Sequence, residues 1–135
     1  MTATTLKEQA MNSATRLVSK RISLSRDLTA TSADVAYTGV GFMPTSIMFI
    51  GTVSSVCYSS GMCDSAKSQD CIFYAASAAY TQGDNSLNNC LLFVTAGSQY
   101  HTALVKTFDA DGFTLTWSKV NSPTGTAKVV ALCFR

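Results

Sequence analysis

Between Tyr100 and Arg135 three apolar runs are separated by two turn signals, and the pattern of the whole chain is plainest there. Phe113, Leu115 and Trp117 alternate with Thr114, Thr116 and Ser118. A strand with that alternation sets bulky groups on one face and hydroxyls on the other, so it is half-buried. Upstream, HTALVKTFD runs into the DADG tetrad at Asp109 to Gly112. A tight reversal there uses Asp for local side-chain hydrogen bonds and Gly for positive φ. Downstream, in NSPTG, Pro123 pre-sets one turn dihedral and Gly125 can take the left-handed one, before TAKVVALCF begins. Three strands joined by two short reversals predict an antiparallel meander. The last strand sets Ala127, Val129, Ala131 and Cys133 on one face and Lys128, Val130, Leu132 and Phe134 on the other. With both faces largely apolar, it is either central with both sides covered, or hides its second face against another subunit.

The beginning of the chain has a different period. Thr5 and Glu8 fit a T-x-x-E capping box, and Leu6, Ala10, Ala14 and Leu17 recur at helical spacing. Residues 1–19 thus form an arm, either a short amphipathic helix ordered only where something receives its apolar stripe, or a frayed tail. From Lys20 to Leu28 the period becomes two, with Ile22, Leu24 and Arg26 on alternating sites. Asp34 to Val40 predicts a second strand, ended by Gly39 and Gly41. Pro44 precedes a strand over Ser46 to Thr52, whose continuous IMFI run predicts burial on both faces. A partner strand is expected at Ser54 to Ser59, then a loop from Gly61 to Gln69. Asp70 to Ala76 and Cys90 to Thr95 are two further strands, separated by the polar loop AYTQGDNSLNN. Eight or nine short strands punctuated by turns, with no strong interior helix, predict one all-β domain over 20–135. Its expected form is an antiparallel β-sandwich or jelly roll behind the arm.

Composition changes this picture in one respect. Charged residues are 13% of the 135 and hydrophobic ones 47%, where a quarter charged is usual. So sparse a charge protects a monomer poorly from association, so much of the surface is expected to meet protein; a neutral monomer rich in Ser and Thr is the other reading. The first thirty residues carry +3, from Lys7, Arg16, Lys20, Arg21 and Arg26 against Glu8 and Asp27, within a total of +2. Those cations are too dispersed for a nucleic-acid face. MTATTLKEQA lacks the basic start and apolar core of a secretory signal, and no eighteen-residue apolar run spans a bilayer. Synthesis in a cytosol without membrane attachment is the expectation.

Candidate chemistry is sparse. Cys57, Cys63, Cys71, Cys90 and Cys133 form no C-x-x-C pair and have one histidine to join them, so no metal site is predicted. Buried thiols are expected, with a disulfide among Cys57, Cys63 and Cys71 as the competitor. His101 reads as a surface or edge histidine and not as a base. Asp109 and Asp111 sit in a reversal, where capping of backbone amides is the expected role and a glycosidase pair is not. Neither a calcium loop nor a phosphate loop is present. No catalytic or cofactor-binding residue is expected, and the reading is of a protein that is not an enzyme. Tyr58, Tyr74, Tyr80 and Tyr100 could supply a stacking platform for a sugar, although strand tyrosines are more often half-buried.

Two stretches, YTGVGFMPTSIMFIG at Tyr37 to Gly51 and DADGFTLTWSKVNSPTGTAKVVALCF at Asp109 to Phe134, together resemble a small β-sandwich module of tailed-bacteriophage virion proteins. The likeness spans about residues 20–135, strong at both ends and weak in the middle. It rests on strands and turns, with Gly41, Pro44, Asp109, Gly112, Trp117, Pro123 and Gly125 as its structural positions, and brings no catalytic residues. The resemblance implies a head decoration or spike protein, or a tail-fibre module. With a short arm and no fibrous region, a capsid decoration (cement) protein on the outer head surface is favoured over a receptor-binding or carbohydrate-binding one. Its partners would be the major capsid protein and its own copies, around a three-fold axis, with a glycan only under the second reading. Contacts are expected from Leu6, Ala10, Arg16 and Leu17 of the arm, from Lys20 and Arg21, and from Val130, Leu132 and Phe134.

Overall fold

Alternating burial runs along most of the strands. The structure, a computed structural model, describes residues 17–54, 57–76, 82–85 and 88–135, with 82–85 as backbone alone. In chain order the strands are β1 (Ser19–Asp27), β2 (Ala33–Thr38), β3 (Ser46–Val53), β4 (Cys57–Cys63) and β5 (Gln69–Ala75), followed by β6 (Gln82–Asn85), β7 (Leu91–Ala96), β8 (Gln99–Asp109), β9 (Gly112–Val120) and β10 (Thr126–Phe134). They form two antiparallel sheets, one of six strands in the order β1-β10-β3-β4-β5-β6 and one of four in the order β2-β9-β8-β7. The sheets pack face to face as a β-sandwich. Ile47, Phe49 and Val53 of β3 and Ala127, Val129, Ala131 and Cys133 of β10 point inward, where they meet Phe113, Leu115 and Trp117 of β9. Phe49 and Phe113 meet edge-to-face across the sandwich, ring centroids 5.7 Å apart. Burying one such large side chain stabilises the fold by about 1.5–3 kcal/mol.

Several expectations need correction. Ten strands are present among the described residues, against the eight or nine expected. The C-terminal meander does not form: β8 and β9 pair, but β10 crosses to the other sheet and lies between β1 and β3. The reversal between β9 and β10 turns the chain away, with positive φ at Asn121 and Gly125 and Pro123 buried beneath it. The vacant side of β9 is taken by β2. β4 covers residues 57–63, so the loop expected over 61–69 shrinks to 64–68. β6 lies inside the expected polar loop AYTQGDNSLNN.

The strand expected at Ser54 to Ser59 is β4, displaced to residues 57–63, and its facing was not legible because its apolar contrast is inverted. Cys57, Ser59, Gly61 and Cys63 point inward while Tyr58 and Met62 point out. Gly61 has no room for a side chain, since a Cβ there would collide with the carbonyl oxygens of Cys90 and Asp70. Ser59, fully buried, receives the Leu92 amide of β7 at 3.0 Å, so an edge-strand donor is satisfied across the sandwich. Just beyond the same end of β7, Gln69 stands in for a missing ladder partner. Its Oε1 accepts from the Val105 amide at 2.6 Å and its Nε2 donates to the Val105 carbonyl at 3.1 Å.

The stretches 37–51 and 109–134 meet in space. Asp111, in the β8–β9 turn, accepts from the amides of Gly39 at 3.0 Å and Gly41 at 2.6 Å. Both glycines have positive φ, and these bonds hold the Asp111 carboxyl below its ordinary 3.8. Asp109 takes hydroxyls instead, from Thr107 at 2.8 Å and Thr114 at 2.7 Å. Gly112 does not adopt the positive φ expected of it; a Cβ there would strike the Tyr37 carbonyl on β2. Pro44 is buried just before β3. Trp117 donates from Nε1 to the Tyr37 hydroxyl at 3.0 Å, with the Arg26 guanidinium 5.6 Å from its ring centroid.

Candidate interaction surface

The continuous IMFI run is not buried on both faces. Ile47 and Phe49 are enclosed, whereas Met48 is 46% and Ile50 52% exposed, because no described element covers the outer face of the six-stranded sheet. The register across that face sets its composition. One row reads Arg21, Leu132, Met48, Met62, Asp70 from β1 to β5; the next reads Ser23, Val130, Ile50, Ser60, Ile72. A third reads Ser25, Lys128, Thr52, Tyr58, Tyr74. The centre is apolar, with Met62 at 57% and Ile72 at 60% exposure. Charge appears toward the margins, positive at Arg21 and Lys128 and negative at Asp70.

Two shallow troughs indent this face. One, of about 540 Å³, lies around Ser23, Ile50, Tyr58, Lys128 and Val130; the other, of about 320 Å³, around Met48, Ser60, Met62 and Ile72. Each includes a serine at a position where neighbours carry larger groups. Contiguous exposed apolar surface of this kind marks a site of protein contact more often than it marks a solvated face.

Of the expected contact residues, Val130 lies in this face at 39% exposure, and Leu132 and Phe134 are half-exposed beside it. Arg21 shares the face, while Lys20 pairs in register with inward Cys133 at the β1 edge. Leu17 is exposed at the start of the described chain. Leu6, Ala10 and Arg16, the proposed arm helix and Tyr80 lie outside the described residues. Sequence reasoning missed Met48, Ile50, Met62, Ile72 and Asp70 as surface residues. The signal in CYSSGMC is an alternation that sets Cys57, Ser59, Gly61 and Cys63 on one face and Tyr58, Ser60 and Met62 on the other, without telling which is outward. Tyr58 and Tyr74, named as aromatics, prove to be cross-strand neighbours in the exposed row.

The opposite outer face is unlike it. On the four-stranded sheet Asp34 accepts from Lys106 and from the Thr116 hydroxyl, both at 2.5 Å. The hydrogen bonds of Lys106 and then Thr116 hold its carboxyl below 3.8.

Burial disfavours the charged forms of His101 and of four of the cysteines. His101 is fully buried, not the surface or edge residue expected, because β8 turns it inward against Trp117, ring centroids 5.6 Å apart. Its Nδ1–H donates to the Leu28 carbonyl at 3.2 Å, and Nε2 finds no partner among the described residues. Burial pushes its pKa below 6.5. An imidazole sealed in this way has no access to a substrate. The five cysteines are buried thiols, and no disulfide joins them. Burial raises Cys57, Cys63 and Cys133 to about 11, and Cys90 well above its ordinary value, so thiolate chemistry is suppressed at these four. Among the described residues no group of His, Cys, Asp and Glu is arranged to hold a metal ion, and no helix is long and apolar enough to cross a membrane.

No protein family, curated protein or solved structure matches the chain.

Proposed function

We propose that the chain is a structural protein of a tailed-bacteriophage virion, a decoration (cement) protein docked on the outside of the head shell. The observation that carries this reading is the uncovered apolar face of the six-stranded sheet, with Met48, Ile50, Met62 and Ile72 at its centre. A sandwich whose opposite face is hydroxylated and ion-paired retains such a surface for contact with protein. The likeness of residues 37–51 and 109–134 to a virion module directs the reading to a phage particle. The mechanism is reinforcement: a stiff β body contacts its own copies and the major capsid protein. Residues 1–19, through Leu6, Ala10, Arg16 and Leu17, reach neighbouring shell subunits with Lys20 and Arg21 beside them. Several attachments per copy make release slow.

A second reading is favoured by one observation. Tyr58 and Tyr74 stand side by side and exposed on the face, a pair of rings on which a sugar could stack. That reading makes the protein a receptor-binding module at the tail. Electron cryomicroscopy of particles from the phage that carries the gene tests both. Density for a ten-stranded sandwich at many symmetry-related head positions is expected. A few copies at the tail would favour the glycan reading, and no density on the particle would overturn the virion role.

A further inference from the structure

The rows of the outer face are complementary to themselves. A two-fold axis running along β3, in the plane of contact, exchanges β1 with β5 and β10 with β4 while returning β3 to itself. In the first row, Arg21 then meets Asp70 of the other copy, twice. In the second, Ser23 meets Ile72, Val130 meets Ser60, and Ile50 meets its own counterpart. In the third, Lys128 comes to the Tyr58 ring, a cation over an aromatic face. The serines that line the two troughs are thus the positions that receive Ile72 and Val130 of the second copy.

From this juxtaposition we infer that the outer face of the six-stranded sheet is the seat of a second copy of this chain, in an isologous two-fold pair. The inference deepens the reading of that face as a protein-contact surface. Size and symmetry agree with it. At about 4.8 Å between strands and about 3.3 Å per residue, five strands of some seven residues present on the order of 500 Å² per copy. Two such faces bury about 1,000 Å², close to the lower bound for a specific interface. Stacked twisted sheets cross at about 30°, which displaces the marginal rows by roughly 5 Å, a gap that a long arginine can reach across. A two-fold needs one self-complementary patch, whereas the expected three-fold needs two different ones. The marginal charges fix the register more than they add affinity.

The test is the mass in solution of the full chain and three variants, by sedimentation velocity over a dilution series. A dimer of the 14.3 kDa chain that dissociates on dilution is expected. Arg21→Asp or Asp70→Arg alone should weaken it about tenfold, since each sets like charges against one another, and the double exchange should restore it. Ile50→Glu, on the axis, should leave a folded monomer by circular dichroism. A wild-type monomer throughout, as when residues 1–16 cover the face, overturns the pairing, as does a double exchange that fails to restore it or an Ile50→Glu dimer. Monomers that still saturate phage heads would overturn the pairing and leave the virion role standing. Dimers that ignore heads would do the reverse.

Discussion

The two outer faces of one sandwich solve solvation in opposite ways. On the four-stranded sheet Thr114 and Thr116 face outward, and their hydroxyls are bound to Asp109 and Asp34, with Lys106 completing the second cluster. On the six-stranded sheet the equivalent positions hold Met48, Ile50, Met62 and Ile72. Both inner faces are packed apolar layers, so the need for a core does not explain the difference. At about 25 cal/mol per Å² of apolar surface removed from water, covering the second face is favourable wherever a partner fits. The polar face shows that this chain can build an outward sheet surface for water. The apolar face therefore does not follow from an inability of this chain to make a polar one.

The sharpest way to break that comparison is at β4, where inward and outward residues exchange their usual sizes. Gly61→Val would place a branched side chain against the Cys90 and Asp70 carbonyls, which belong to backbone and cannot swing aside. A loss of at least about 3 kcal/mol is expected from urea unfolding, with expression as inclusion bodies a consistent outcome. Its neighbour Ser60, facing out, is the control: at a dilution where copies are separate, Ser60→Val should move stability by less than about 0.5 kcal/mol. Equal effects at both positions would mean that β4 does not divide inside from outside as described.

The same strand shows what sequence could and could not disclose. In β9 size and polarity alternate together, so Trp117 was legible as core; in β10 both faces are apolar, so the pattern set Val129 and Val130 on opposite faces without deciding which is core. In β4 the inward residues are small, and neither Ser59 nor Gly61 reads as core without knowing that β7 passes close above. The IMFI run of β3 showed two apolar faces but not that one would lack a cover within the chain. His101 was misread because nothing local distinguishes an inward polar ring from an edge one; Trp117 and the Leu28 carbonyl, both distant in sequence, give it its place. The meander failed for a related reason, since turn residues report a reversal and not which sheet the next strand joins.

Acid acts next and mostly on the four-stranded sheet, although Thr29 hydrogen bonds also depress Asp27 at the end of β1. His101, Asp34 and Asp111 all belong to the four-stranded sheet or its turn. The folded pKa of His101 lies below 6.5, so the unfolded chain takes up a proton first as pH falls. Its contribution is complete above 6.5 and is lost as pH drops toward the folded value. The carboxyls are depressed below 3.8, so their contribution persists above that pH and is lost only as pH falls through their folded values. Urea midpoints should therefore decline in two steps, the first beginning as pH falls through about 6.5 and the second below 3.8. His101→Gln should flatten that first step whatever its absolute stability. A first step unchanged in the variant would show that another group causes it.

The smallest expected effect lies on the polar face itself. Asp34→Asn keeps the size of the side chain and an acceptor for Thr116 but removes the charge paired with Lys106. Both partners are exposed, so water already solvates them and most of the attraction is screened. A slight fall in the urea midpoint is expected at low salt, vanishing near 1 M sodium chloride, where the screening length is about 3 Å. Sulfate acts in the opposite direction on the other sheet, since excluded salts strengthen burial of apolar surface and should favour association through Ile50 and Ile72. If salt instead weakened association and left the Asp34→Asn difference intact, marginal charge would be holding copies together, and the apolar centre would lose the role the comparison gives it.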